Sequence, residues 1–189
     1  ASKSETFGTN GLFRDEWSSD GIVYENLLIE TSDNTNDAGD YWEICYDSTN
    51  DGGTAPKTDD FKIVITGHGP SRTVTWYRGT NTAWGPATAQ AASTFACADS
   101  LASWGSVSSS PHYILEMHVD KQATDFGIVI IGMNFAMRVA YYDAHSGGNG
   151  LQAWPPAPAT GDVPDGWGYI PYDFAANPSP DNTPESLSL

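Results

Sequence analysis

The sequence predicts an all-β protein, a single antiparallel β-sandwich of jelly-roll type. Three observations carry that expectation. Long helical periodicity is absent across the 189 residues. Short runs rich in Val, Ile, Tyr and Trp are separated by clusters of Gly, Asn, Asp and Pro. One run, "HYILEMHVD" (112–120), alternates cleanly, with Tyr113, Leu115, Met117 and Val119 on one side and His112, Glu116, His118 and Asp120 on the other.

Taken in order, residues 1–14 lack a globular pattern and read as an extended N-terminal segment, within which "SETFGTNGLF" (4–13) carries Phe7, Leu12 and Phe13. Residues 15–175 form the sandwich domain. "GIVYENLLIET" (21–31), "DYWEICYD" (40–47), "DDFKIVITG" (59–67) and "SRTVTWYRG" (71–79) each read as a strand, the last two joined by a tight turn at "GHGP". "PATAQAASTFACADSLASWGS" (86–106), rich in Ala and Ser, reads as a short helix or a long packed loop. "FGIVIIGMNFAMRVAYYDA" (126–144) is nearly continuous apolar sequence. It suits a central strand buried on both faces, or two strands meeting at a bend near Gly132. From Gly147 the chain is rich in Pro, Gly and aromatic residues and should wrap irregularly, ending in a tail over 176–189.

Charge excludes several partners. Asp and Glu total 24 against 8 Lys and Arg, a net charge of −16. Nucleic acid and anionic membranes need clustered basic residues, which this chain lacks. The longest apolar run carries Asn134 and Arg138 and is too short and polar for membrane insertion. The first residue is Ala, which fits an exported protein after signal-peptide removal, at the cell surface or beyond it. Cys45 and Cys97 are one even pair, either a disulfide or two small buried hydrophobes.

Of the acidic residues 17 are Asp and 7 Glu. Turns prefer the shorter side chain, and so do calcium loops. Residues 47–52, "DSTNDG", follow the opening of such a loop, with Asp47, Thr49 and Asp51 at alternate positions and Gly52 at the turn. The acid expected twelve positions along is missing, although Asp59 and Asp60 lie beside that slot, and the flanks are strands, so this is no EF-hand. Asp33, Asp37 and Asp40 offer a second candidate loop. With Lys57 and Lys62 the only basic residues nearby, these carboxylates repel one another unless a cation joins them. Calcium is the expected cofactor, and solvated turns are the alternative.

The order "EWSSDG", an acidic loop, "YWEICYD", "DDFKIVITG", "HYILEMHVDK" and "AWPPAP…PDGWGYI" resembles the superfamily of family 9 carbohydrate-binding modules and DOMON domains, over residues 15–170. The resemblance implies a non-catalytic β-sandwich with calcium nearby and, in sugar-binding members, a glycan held between aromatic rings. Trp76, Tyr77, Trp84 and Trp154 are the candidates here, whereas Trp17, Trp42, Trp104 and Trp167 read as core or loop anchors. Haem-b members are a lesser possibility. Met117, Met133, Met137 and four histidines supply ligand types, but methionine more often fills core gaps.

His112, Glu116, His118 and Asp120 share a strand face, where neighbours about 7 Å apart can meet one transition metal, yet an exposed polar face explains them as well. No nucleophile elbow, phosphate loop or HExxH motif occurs. The leading expectation is an exported, calcium-bound glycan-binding module. The alternative is a structural subunit of an extracellular filament, tube or surface layer, joined to other copies of itself by exchange of a terminal strand and by calcium.

Overall fold

A computed structural model describes residues 2–8, 11–19, 23–89, 95–120 and 134–170. The tail, Gly132 and Met133 lie outside the described residues. The described chain is all-β, with eleven strands: β1 (Ser2–Phe7), β2 (Gly11–Ser19), β3 (Val23–Glu30), β4 (Tyr41–Asp47), β5 (Asp60–Thr66), β6 (Thr73–Arg78), β7 (Phe95–Ala102), β8 (His112–Asp120), β9 (Phe135–Asp143), β10 (Gly150–Trp154) and β11 (Gly168–Ile170). They form two antiparallel sheets, ordered β1-β2-β3-β8-β7 and β10-β9-β4-β5-β6, with β11 also paired to β9.

Period-two patterning sets which side chains meet between the sheets. Phe13, Leu27, Ile29, Leu115, Met117 and Val119 face inward from the five-stranded sheet. Trp42, Ile44, Tyr46, Ile63, Ile65, Trp76, Val139 and Tyr141 meet them from the six-stranded one. Each large side chain so buried contributes roughly 1.5–3 kcal/mol. β9 is buried on both faces as its apolar run predicts, because the loop after β10 folds over its outer side and buries Ala136 and Arg138.

Three stretches depart from expectation. The segment 4–13 is not an extended end: it forms β1 and the start of β2, paired Phe7 to Gly11 in this chain's own sheet, with Phe13 fully buried. The Ala/Ser-rich stretch is the edge strand β7 rather than helix or loop. Its small residues are poor strand formers, and its place is fixed by pairing with β8 and by Phe95 and Cys97 packing on the core. The C-terminal wrapping contains two short strands, β10 and β11, the latter paired with β9.

Of the two readings of the cysteine pair, the disulfide is not formed; Cys45 and Cys97 are both free. They lie in different sheets and point different ways. Cys45 faces outward from β4 among Ala136, Trp167 and Trp84, whereas Cys97 packs toward the core from β7.

Candidate functional site

The outer face of the six-stranded sheet collects the chemistry. One transverse row reads Arg138, Cys45, Lys62 and Tyr77 across β9, β4, β5 and β6, and the next contains Ala140, Glu43, Val64 and Thr75. Lys62 stands at the centre. Its Nζ lies 3.6 Å from Glu43 and 3.6 Å from Asp162, and 4.8 Å and 5.5 Å above the rings of Trp84 and Tyr77. Arg138 donates a short hydrogen bond to Glu43.

The loop between β10 and β11 completes the site from above. Trp84 Nε1 donates to Gly161 O and to Asp162 Oδ1, both at 2.9 Å, and Trp167 Nε1 donates to Thr160 O at 2.8 Å. The two indole planes are 5° apart with centroids separated by 6.2 Å. Gly161 lies so close to the sheet that a Cβ there would collide with the Glu43 carboxylate. Trp84 is placed by a tight turn at 80–83, in which Asn81 takes a φ of 72°, and by a bridge to Gly79.

Of the aromatic candidates, the structure brings Tyr77 and Trp84 into this site and removes the other two. Trp76 alternates inward, is only 3% exposed and meets Phe95 edge-on in the core, so it offers no platform. Trp154 also faces inward, against Phe13 at 5.0 Å, with Lys3 above its ring. Trp167 is a loop anchor as expected, only 7% exposed and packed on Cys45 and Ala136, and its ring lies parallel to that of Trp84. The spacing of the two tryptophans gave no signal, because a loop contact between residues far apart in sequence joins them. Trp42 is core as expected, while Trp104 is 53% exposed and lies outside the core. Met117 and Met137 are core residues.

The acidic residues separate into two arrangements. In the second loop Asp47 and Asp60 are cross-strand partners, both fully buried, one step along β4 and β5 from Cys45 and Lys62. Asp47 accepts from Gly52 N at 2.8 Å, helped by the positive φ of 59° at Gly52, and Asp60 Oδ2 accepts from Lys57 N at 2.7 Å. Asp60 Oδ1 is buried without a hydrogen-bond partner. Ligand atoms of Asp47, Asp51 and Asp59 lie within 4.8 Å of one another, while Lys57 pairs with Asp51 at 2.8 Å. Burial, followed by the charges of Asp47, Asp59 and Asp51, pushes Asp60 up to about 7 against the pull of the Lys57 N–H.

The first loop differs. Asp33 and Asp40 gather around His68, a residue the sequence did not single out, while Asp37 sits apart and pairs with His145 at 3.1 Å. His68 is buried in the β5–β6 turn, flanked by Gly67 and Gly69 with φ of 77° and 63°. Its Nδ1 lies 3.2 Å from Asp99 on β7, and its Nε2 lies 3.2 Å from Tyr141 Oη and 3.4 Å from Asp40. Tyr113 stacks on its ring at 3.5 Å, and Tyr141 donates a short hydrogen bond to Asp33. Burial opposes charge on His68, but Asp33 and Asp99 outweigh it and raise its pKa. Burial likewise opposes charge on Asp33 and Asp99, yet the hydrogen bonds they accept hold both below the usual carboxylate range. The His68 imidazole thus lies among the Asp33, Asp40 and Asp99 carboxylates, which favour its charged form. On β8, His112 is buried, and His118 bonds Asn26 at 2.7 Å.

With this geometry in place, the fold has known counterparts. A family 9 carbohydrate-binding module from Caldicellulosiruptor kristjanssonii in complex with glucose superposes with a TM-score of 0.57 at 13% identity, covering 89% of this chain and 83% of that one. A family 9 module from the same organism in complex with cellotriose gives 0.51 at 13% identity, covering 89% and 79%. The likeness is one of fold. No family model matches the sequence, and no curated protein does.

Proposed function

We propose that this protein is an exported, non-catalytic carbohydrate-binding module that holds a neutral glycan on the outer face of its six-stranded sheet. The observation that carries the reading is the partly exposed Trp84 ring, backed by the buried Trp167, beside the Lys62–Glu43–Arg138 network. Aromatic faces suit the C–H faces of a pyranose, and paired charges suit its hydroxyls, which donate and accept at once. The sugar-bound family 9 modules that share the fold support the same chemistry.

Calcium fits the second loop as a brace beside that site. Asp47, Asp51 and Asp59 would hold it, with Asp60 behind them, and its charge would balance carboxylates that otherwise face one another. The orphaned Asp60 oxygen supports this assignment.

Isothermal titration with glucose and cellotriose tests the reading. Wild-type protein binds at least one of them, and Trp84→Ala weakens binding by about tenfold or more. Equal affinity in the variant, or no binding by the folded wild type, overturns it.

A further inference from the structure

The five-stranded sheet carries a separate cleft on its outer face, with a volume of about 670 Å³. That size is within the range of small-molecule sites, roughly 300–1,000 Å³. Two transverse rows line it. Glu16, Asn26 and His118 are register partners across β2, β3 and β8, and Arg14, Leu28 and Glu116 form the next row. Two alanines of β7, opposite His118 and Glu116, keep that side low.

The cleft has a built wall. The buried Glu30 carboxylate accepts from the backbone N–H groups of Ser106 and Val107 at 2.6 and 3.1 Å, and Arg14 Nη2 donates to Ser106 Oγ at 2.5 Å. Gly105, with a φ of 117°, lets the chain approach Glu30 where a Cβ would collide. This pins the loop to Arg14 of the cleft, and Trp104, two residues before Ser106 in that loop, is 53% exposed.

Chemistry narrows the occupant. Anions are disfavoured, because Glu16 and Glu116 are acidic and the Arg14 guanidinium already serves Ser106 and, at 3.7 Å, Glu30. Among the described residues, the side chains gathered closely enough to share one metal ion are Asp33, Asp40 and His68 and, separately, Asp47, Asp51 and Asp59, and neither group lies in this cleft. An apolar peptide would strip water from carboxylates, imidazole and guanidinium without replacing their hydrogen bonds. A neutral polyhydroxyl chain both donates to the Glu16 and Glu116 carboxylates and lays its C–H groups on Leu28 and the alanines, with the exposed Trp104 carried by the loop that Arg14 pins.

We infer that this cleft is a second carbohydrate-binding site, for a neutral oligosaccharide chain, independent of the Trp84 site on the other sheet. Proton–nitrogen NMR titration of the folded protein with cellohexaose, xylohexaose and mannohexaose tests it, because the indole N–H signals of Trp104 and Trp84 report the two faces separately. At least one of these sugars shifts Trp104 and the amides of β3 and β8, and Trp104→Ala and Glu116→Ala each weaken that response about tenfold. If none of the three moves these signals, or if both variants respond as wild type does, the inference is overturned. A silent Trp84 signal would instead count only against the site on the six-stranded sheet.

Discussion

Asp47 and Asp60 stand directly opposite one another in the β4–β5 register, and both are fully buried. Burial also raises Asp47, against N–H donors from Gly52 and Asp51. For Asp60 the folded value of about 7 lies above the unfolded one. A carboxyl raised in this way loses stability as pH climbs from about 4, its unfolded value, to the folded value. In chelator the melting temperature therefore falls between pH 5 and pH 8. At pH 8, millimolar calcium restores it in the wild type, whereas Asp60→Asn restores it without calcium. Scanning calorimetry with and without chelator checks this, and a wild-type curve indifferent to calcium removes the ion from the loop.

His68 works with the opposite sign. Its raised pKa means that its contribution is complete below about 6.5 and is lost as pH rises through the folded value. Asp33 and Asp99, both lowered, contribute above about 4 and lose that contribution only in stronger acid. Removing the imidazole leaves Asp33 and Asp40 facing one another without it, while Asp99 keeps Arg72 at 3.0 Å, so His68→Ala should cost about 3–5 kcal/mol in urea denaturation at pH 6. The difference from wild type narrows at alkaline pH. A variant as stable as wild type at pH 6 contradicts this account.

Trp76 and Trp84 should separate stability from recognition. Trp76 lies among core rings, and replacing it by Ala costs about 3–5 kcal/mol. Trp84 rests on the sheet surface and is only partly buried, so its loss lowers the denaturation midpoint far less while reducing sugar affinity. Denaturant curves for both variants decide it, and equal destabilisation would assign Trp84 to the core instead.

The thiols give a direct chemical readout. Reduction should leave the electrophoretic mobility of the denatured protein unchanged, since neither cysteine is bridged. Burial pushes the Cys45 thiol well up, with Glu43 adding to the effect. It should stay inert to thiol reagents at pH 8 until denaturant is added. Cys97, half-buried, should react first, and rapid labelling of Cys45 in the native state would count against its burial beneath Trp167.

Truncation tests where the N-terminal segment belongs. Deleting residues 1–13 removes Phe7, Leu12 and Phe13, all buried, and should unfold the protein rather than release it from partners. Circular dichroism and sedimentation velocity distinguish the outcomes. A folded truncated monomer derived from a polymerising parent would favour strand exchange between copies.

Alternation made much of this architecture legible in advance. "HYILEMHVD" coincides with β8 residue for residue, and the patterned runs from 21 to 79 correspond to β3 through β6. What escaped were elements whose cause is tertiary. β7 is built from Ala and Ser and is a strand because β8 offers it a ladder. β11 is three residues long and exists only against β9. The site followed the same division. Tyr77 and Trp84 could be picked by type, whereas Trp76, one residue before Tyr77, falls on the opposite side of the same strand. His68 gave no sign in its turn, because its partners come from residues 33, 40, 99 and 141, which only the fold assembles.

Both indole nitrogens of the paired tryptophans are already spoken for by residues 160–162. A ligand resting on the partly exposed Trp84 ring meets a carbon face and no N–H. Selection there falls to stereochemistry, since an epimer that turns an axial hydroxyl toward an indole face loses a water contact and gains nothing in return. The site should distinguish sugars of identical composition by the orientation of a single hydroxyl.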